Sequence, residues 1–167
     1  MALRQLNLSG AQLTEKDSAV WTVIVNGKDA GTLISTERFG RDIQGYAGEV
    51  PVWIHITADG KVAAIVPQPN YEDEGYFGQA TYIIHQWDGL PVAEALSKRV
   101  DAVSGATYSS SAIIGNVQAG LDYYIHGTPE QPTAIPWLPI GGGVVVIGII
   151  VAVIVRRKNK KIIIDVR

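Results

Sequence analysis

The stretch Val100-Asp-Ala-Val-Ser-Gly-Ala-Thr-Tyr-Ser-Ser-Ser-Ala112 concentrates small and hydroxyl-bearing residues just ahead of an amphipathic run. Ser104, Gly105 and Ala106 leave the backbone open to close approach, and Thr107 presents a hydroxyl at the start of that run. Ser109 or Ser110 is the expected N-cap of the helix that follows, because a serine oxygen accepts hydrogen bonds from first-turn N–H groups. Those N–H groups carry partial positive charge, so the helix end suits a phosphate. The chemistry on offer is one accessible hydroxyl beside an anion site. The same composition also serves ordinary helix capping.

Other residue types offer less. The chain has no cysteine, which removes disulfides, thiolate-held iron–sulfur clusters and cysteine zinc sites. Any redox chemistry therefore needs a cofactor held without thiolates. His55, His85 and His126 match no metal-ligand spacing, and no metal site is assigned. Glu72, Asp73 and Glu74 are consecutive. They read as a solvated loop or, alternatively, a Mg²⁺ or Ca²⁺ site. There is no Ser/His/Asp constellation, so no catalytic residue is assigned.

Hairpins followed by helices must position these residues. Val20–Val25 reads as a strand, Asn26-Gly27 as a turn, and Gly31–Ser35 as the return strand. Phe39–Gly48 is a glycine-rich loop. Val50–Thr57 and Lys61–Val66 form a second hairpin about Ala58-Asp59-Gly60. Tyr76–Trp87 has Phe77, Ala80, Ile83, Ile84 and Trp87 at helical spacing, and Pro91–Lys98 is a second short helix. Asp101–Thr107 is a loop. Ser109–His126 is the best helix, with Ile113, Val117, Gly120, Leu121 and Tyr124 on one face and Gly127 as its stop. The order implies an α+β fold, an antiparallel or mixed sheet with helices packed on it.

Residues 1–128 read as this folded domain, 129–139 as a linker, 140–155 as a transmembrane helix and 156–167 as a basic tail. No charge occurs between Glu130 and Arg156, and the apolar segment 134–155 is 22 residues long, enough for a ~30 Å hydrocarbon core. Trp137 sits near one end, as an interfacial aromatic does. Six Lys/Arg from Arg156 onward face one acid, Asp165, which leaves 8 basic and 15 acidic residues before them. The basic cluster predicts a cytoplasmic tail, with the folded domain outside the cytoplasm and the span in membrane lipid. Met1–Lys16 lacks the apolar core of a secretory signal. Three readings stay open: a start further upstream, export driven by the span itself, or the opposite orientation. An acidic domain is a poor partner for nucleic acid, and none is expected.

Three segments, Gly45-Tyr-Ala-Gly-Glu-Val-Pro-Val-Trp-Ile54, Tyr71-Glu-Asp-Glu-Gly-Tyr-Phe77 and Val100–Ser110, resemble the bacterial FMN-binding domain family. That family includes the flavinylated subunits of the sodium-pumping NADH:quinone reductase and of the Rnf complex, and nitrous-oxide-reductase regulator-like proteins. The resemblance spans roughly Gly31 to Gly127. It implies FMN bonded through its phosphate to Thr107, attached by a flavin transferase. Ser104, Gly105, Ala106 and Ser109 or Ser110 would surround the phosphate. Glu72-Asp-Glu-Gly75 replaces the family's acidic-Thr-Pro-Gly pattern, so the flavin-ring contacts assigned to Glu74 and Gly75 rest on a departure from it. Tyr46 and Gly48 are expected at the pocket wall; Tyr76 is either wall or core. The implied role is an electron-carrier subunit in the membrane more than a stand-alone enzyme, working with an iron–sulfur or quinone-linked membrane protein; whether the chain is itself an enzyme stays open. A non-covalent FMN reductase and a redox-sensing regulatory or scaffold module are the alternatives.

Overall fold

The computed structural model describes residues 2–6 and 8–127. The expected linker, span and tail (129–167) lie outside the described residues. Among the described residues no helix is long and apolar enough to cross a membrane.

A short helix α1 (Ala2–Gln5) leads into five strands: β1 (Gln12–Asp17), β2 (Val20–Val25), β3 (Lys28–Ser35), β4 (Val52–Ile56) and β5 (Val62–Pro67). They form one sheet in sequence order, and every neighbouring pair is antiparallel. No parallel pair is present among the described residues, so the sheet is antiparallel rather than mixed. Asn26 and Gly27 make the β2–β3 turn with φ of 51° and 75°. Two positive φ values in a two-residue loop match the right-handed twist of the flanking strands. β1 is an addition to the sequence reading. Its residues Gln-Leu-Thr-Glu-Lys-Asp are mostly exposed, as suits a charged edge strand.

The helical half follows. Helix α2 (Glu74–Ala80) runs straight into a 3₁₀ helix (Thr81–Trp87), then come α3 (Val92–Ser97) and α4 (Thr107–His126). The single helix expected over Tyr76–Trp87 is thus two pieces, tightening where Thr81, Ile83 and Ile84 introduce β-branched side chains. Its spacing survives the change: Ala80, Ile83 and Trp87 are all buried. The Trp87 indole N–H donates to the Ala95 carbonyl at 3.2 Å.

Helix α4 covers one face of the sheet, joining Ile34, Val52, Ile54, Ile56 and Ile65 in the main core. Ile113, Val117 and Leu121 are completely buried, and each such burial contributes roughly 1.5–3 kcal/mol. Tyr124 departs from its expected place: it is 38% exposed, on the flank of the buried face. The helix ends at His126, where Gly127 has φ 71° and donates to the Tyr123 carbonyl at 2.8 Å. Asn116 also lies fully buried on α4. Its Oδ1 accepts from the Thr36 hydroxyl at 2.8 Å, and its Nδ2 donates to the Ala112 carbonyl at 3.1 Å. The Thr36 oxygen in turn accepts from the Val52 N–H at 2.9 Å. Near the other end of α4, Tyr123 stacks on Phe39 with centroids 4.7 Å apart and donates to Asp17.

The opposite face of the sheet holds a second cluster, Leu6, Leu8, Val23 and Leu33, flanked by the tilted Trp21–Trp53 pair. His55 is buried on β4, with Nε2 3.1 Å from the Ala30 carbonyl. Burial pushes its imidazole below the ordinary 6.5, with the Ala30 hydrogen bond opposing that shift. The unfolded chain then binds more protons than the folded one in the window just under 6.5. This contribution is full above that window and is lost as pH falls through it. Urea denaturation at about pH 7.5 and about pH 5.5 is expected to show a steeper loss of stability for the wild type than for His55→Gln.

Candidate functional site

The motif loop closes tightly onto α4. The Ala106 N–H donates to the Val103 carbonyl at 3.0 Å, and Gly105 between them has φ 85°, a turn position that favours glycine. Thr107 is the first residue of α4 and the Ser110 N–H donates to the Ala106 carbonyl at 2.9 Å, closing the first helical turn. The N–H groups of Thr107, Tyr108 and Ser109 precede that bond, so they form the positive helix end.

The helix therefore begins two residues earlier than expected, and neither serine is its N-cap. The cap position is Ala106, which supplies no side-chain bond. Ser110 is buried instead. Its Oγ accepts from the Val103 N–H at 2.9 Å and donates to the Ala106 carbonyl at 2.8 Å, fixing the loop from within. A missing cap costs about 1 kcal/mol, small beside the burial along α4. The Thr107 side chain is exposed, and its hydroxyl makes one long contact, 3.4 Å to the Val103 carbonyl.

Beside this helix end lies a cavity of about 400 Å³. Gly105, Ala106, Tyr108 and Ser109 form one side, and Tyr46, Glu72, Asp73 and Tyr76 the other. Of the residues expected at the site, Gly105, Ala106, Ser109 and Tyr46 come together here. Thr107 does not itself line the cavity, although its chain neighbours Ala106 and Tyr108 do. Ser104 is exposed in the loop and does not line the cavity. Gly48 accepts from the Gly45 N–H at 2.7 Å, and Glu74 and Gly75 open α2; none of the three lines the cavity. Tyr76 is wall rather than core, being 58% exposed.

Glu72, Asp73 and Tyr108 were not assigned from the sequence. The acids are not a merely solvated loop. Asp73 caps α2, accepting from the N–H groups of Gly75 at 3.0 Å and Tyr76 at 3.2 Å. Glu72 reaches across the cavity. Its Oε1 accepts from the Ala47 N–H at 2.6 Å, and its Oε2 accepts from the Ser109 hydroxyl. Asn70 holds the approach, accepting from the Glu72 N–H at 3.0 Å. A sequence trace of this exists in Gly45: a Cβ there would stand 2.6 Å from Glu72 Oε1 and 2.8 Å from Val50 Cγ2.

The cavity has no Lys or Arg among its lining residues. An anion at this site must therefore be held by backbone N–H groups and the Thr107 hydroxyl at the start of α4, since the Ser109 hydroxyl is given to Glu72. The three tyrosines offer planar faces to an aromatic group. A second cavity, about 420 Å³, is lined by Glu37, Glu49, Pro51, Gln68, Pro69, Asn70 and Tyr71. It has no helix end and none of the motif's hydroxyls. Of the histidines, His85 pairs with Asp88 and His126 with Asp122, both at 2.9 Å on the surface.

Gly45→Ala is expected to push Glu72 off the Ala47 N–H. Denaturant unfolding should show a loss of about 1–3 kcal/mol, the range for displacing a packed, hydrogen-bonded group.

The residues that build the cavity, from Tyr46 to Ser109, fall within a single matched segment. Residues 45–122 match the FMN-binding domain family. No curated protein matches the chain. The cavity volume falls within the roughly 300–1,000 Å³ common for cofactor sites, and a helix end for a phosphate beside aromatic walls for a ring fits FMN. Residues 45–122 belong to the FMN-binding domain family.

Proposed function

We propose that the chain is a membrane-anchored electron-transfer flavoprotein whose FMN is held as a phosphoester on Thr107 Oγ1. The observation that carries this reading is the exposed Thr107 hydroxyl at the first residue of a 20-residue helix, between Ala106 and Tyr108, which line the cavity. Two features support the position. The free first-turn N–H groups of α4 would favour the negative charge that an ester at Thr107 would bring. Gly105 and Ala106 leave the approach open. In the attachment step the Thr107 oxygen bonds to the FMN phosphorus of FAD, the pyrophosphate P–O bond breaks, AMP leaves, and the hydroxyl proton is lost. A flavin transferase performs that step.

FMN in this site supplies one- and two-electron redox chemistry, and the protein binds, orients and tunes it. A tether matters most where a lost cofactor cannot be replaced, outside the cytoplasm. The apolar segment 134–155 and the basic cluster from Arg156 support a single membrane anchor with a cytoplasmic tail. The redox partner on this reading is an iron–sulfur or quinone-linked membrane protein, since the chain has no thiolate to hold a cluster of its own.

Co-expression with a flavin transferase should add the mass of FMN less water to one peptide containing Thr107. Thr107→Ala is expected to abolish that addition while changing stability by less than about 0.5 kcal/mol, as an exposed, weakly bonded side chain should. An adduct that persists in the mutant would sink the assignment. In fractionated cells the full chain should sediment with membranes, and a chain lacking residues 135–167 should remain in the supernatant and still accept flavin. A full chain found only in the supernatant overturns the anchor.

A further inference from the structure

We propose that Glu72 is a positioning residue that holds Tyr46 and Tyr108 as the two walls receiving the planar ring of the flavin. The proposal rests on the FMN reading above and assigns the ring, as distinct from the phosphate, to named side chains. Each arm of the Glu72 carboxyl ends one residue from a wall. Oε1 accepts from Ala47, next to Tyr46, and Oε2 accepts from Ser109, next to Tyr108. The clip is the inner part of the site: Ser109 is 3% exposed, whereas Tyr46 and Tyr108 are 80% and 68% exposed. Neither phenol serves the core. Their centroids are 6.4 Å apart and the planes are tilted by 53°, which makes a wedge rather than a stacked pair. A ring between two others needs about 7–8 Å between the outer planes, given carbon contacts of about 3.5–4.0 Å. A small rotation of two exposed side chains supplies that opening.

Charge assigns the two ends of the ligand. Glu72 and Asp73 line the cavity, so the negatively charged phosphodiester is disfavoured beside them and stays at the Thr107 end. The aromatic ring is what the cavity can take. Gly45 belongs to the same device, since any Cβ there would strike the Glu72 carboxyl. Glutamine at position 72 can keep both arms: its amide oxygen accepts from Ala47, and its amide N–H donates to the Ser109 oxygen. Alanine keeps neither.

The test uses the full chain co-expressed with a flavin transferase, with fluorescence yield measured per attached flavin and the amount attached taken from intact mass. A phenol in contact with a flavin ring quenches its emission. Wild type and Glu72→Gln should be dim, while Glu72→Ala, Tyr46→Leu and Tyr108→Leu should be several-fold brighter. Leucine variants as dim as wild type overturn the proposal, as does Glu72→Gln as bright as Glu72→Ala. The tyrosines are exposed, so their variants carry the test even where Glu72→Ala fails to fold. If wild type acquires no FMN, the covalent reading fails and the walls are tested separately by titrating the unmodified chain with riboflavin. The two leucine variants should then bind roughly two- to tenfold more weakly, the worth of one aromatic contact. Equal affinities, or no riboflavin binding by wild type, overturn the proposal.

Discussion

The buried amide of Asn116 fixes how α4 lies on the sheet, and the site depends on that placement. A polar group with no access to water must find partners or forfeit about 1–3 kcal/mol. Asn116 finds them in the Thr36 hydroxyl and the Ala112 carbonyl, and Thr36 passes the connection on to the β4 backbone. Apolar contacts from Ile113, Val117 and Leu121 would tolerate some sliding or rotation; a hydrogen bond of 2.8 Å tolerates very little. Two turns nearer the start of α4, on the same face, stands Ser109. Its meeting with Glu72 follows from the register that Asn116 imposes.

The site is thus a place where three separate pieces of chain converge: the 45–48 loop, the 70–76 segment and the start of α4. None is held by charge pairing. The contacts are backbone N–H groups and hydroxyls given to carboxyls, with Asn70 and Asp73 shaping the local turns. Such bonds are directional and short in reach. They suit a pocket that must present a defined gap without placing cations beside a redox ring.

The hairpins were legible because their signals are local. Asn26-Gly27 and Asp59-Gly60 mark turns, and the strands around them alternate between two faces. Strand β1 was not, because its residues are mostly exposed on both sides and carry no periodic apolar signal. The start of α4 was misplaced for a related reason. A serine ahead of an apolar run reads as a cap, but Ser110 turns inward to hold Val103 and Ala106, which no local rule anticipates. The motif around Thr107 was recognisable from its composition and family resemblance. The link from Glu72 to Ser109 spans 37 positions and is set by the tertiary fold, so no spacing rule reveals it.

The meander also separates local contacts from distant ones. Each strand pairs with its neighbour in sequence, and apart from the 36–51 connection between β3 and β4 the linking loops are short and cost little closure entropy. The pocket has the opposite character. Tyr46 and Tyr108 are brought together across the intervening chain only when α4 settles against β4. A nascent chain ending anywhere before that helix would display an ordinary β-sheet and no place for a cofactor. Holding a ligand therefore waits on α4.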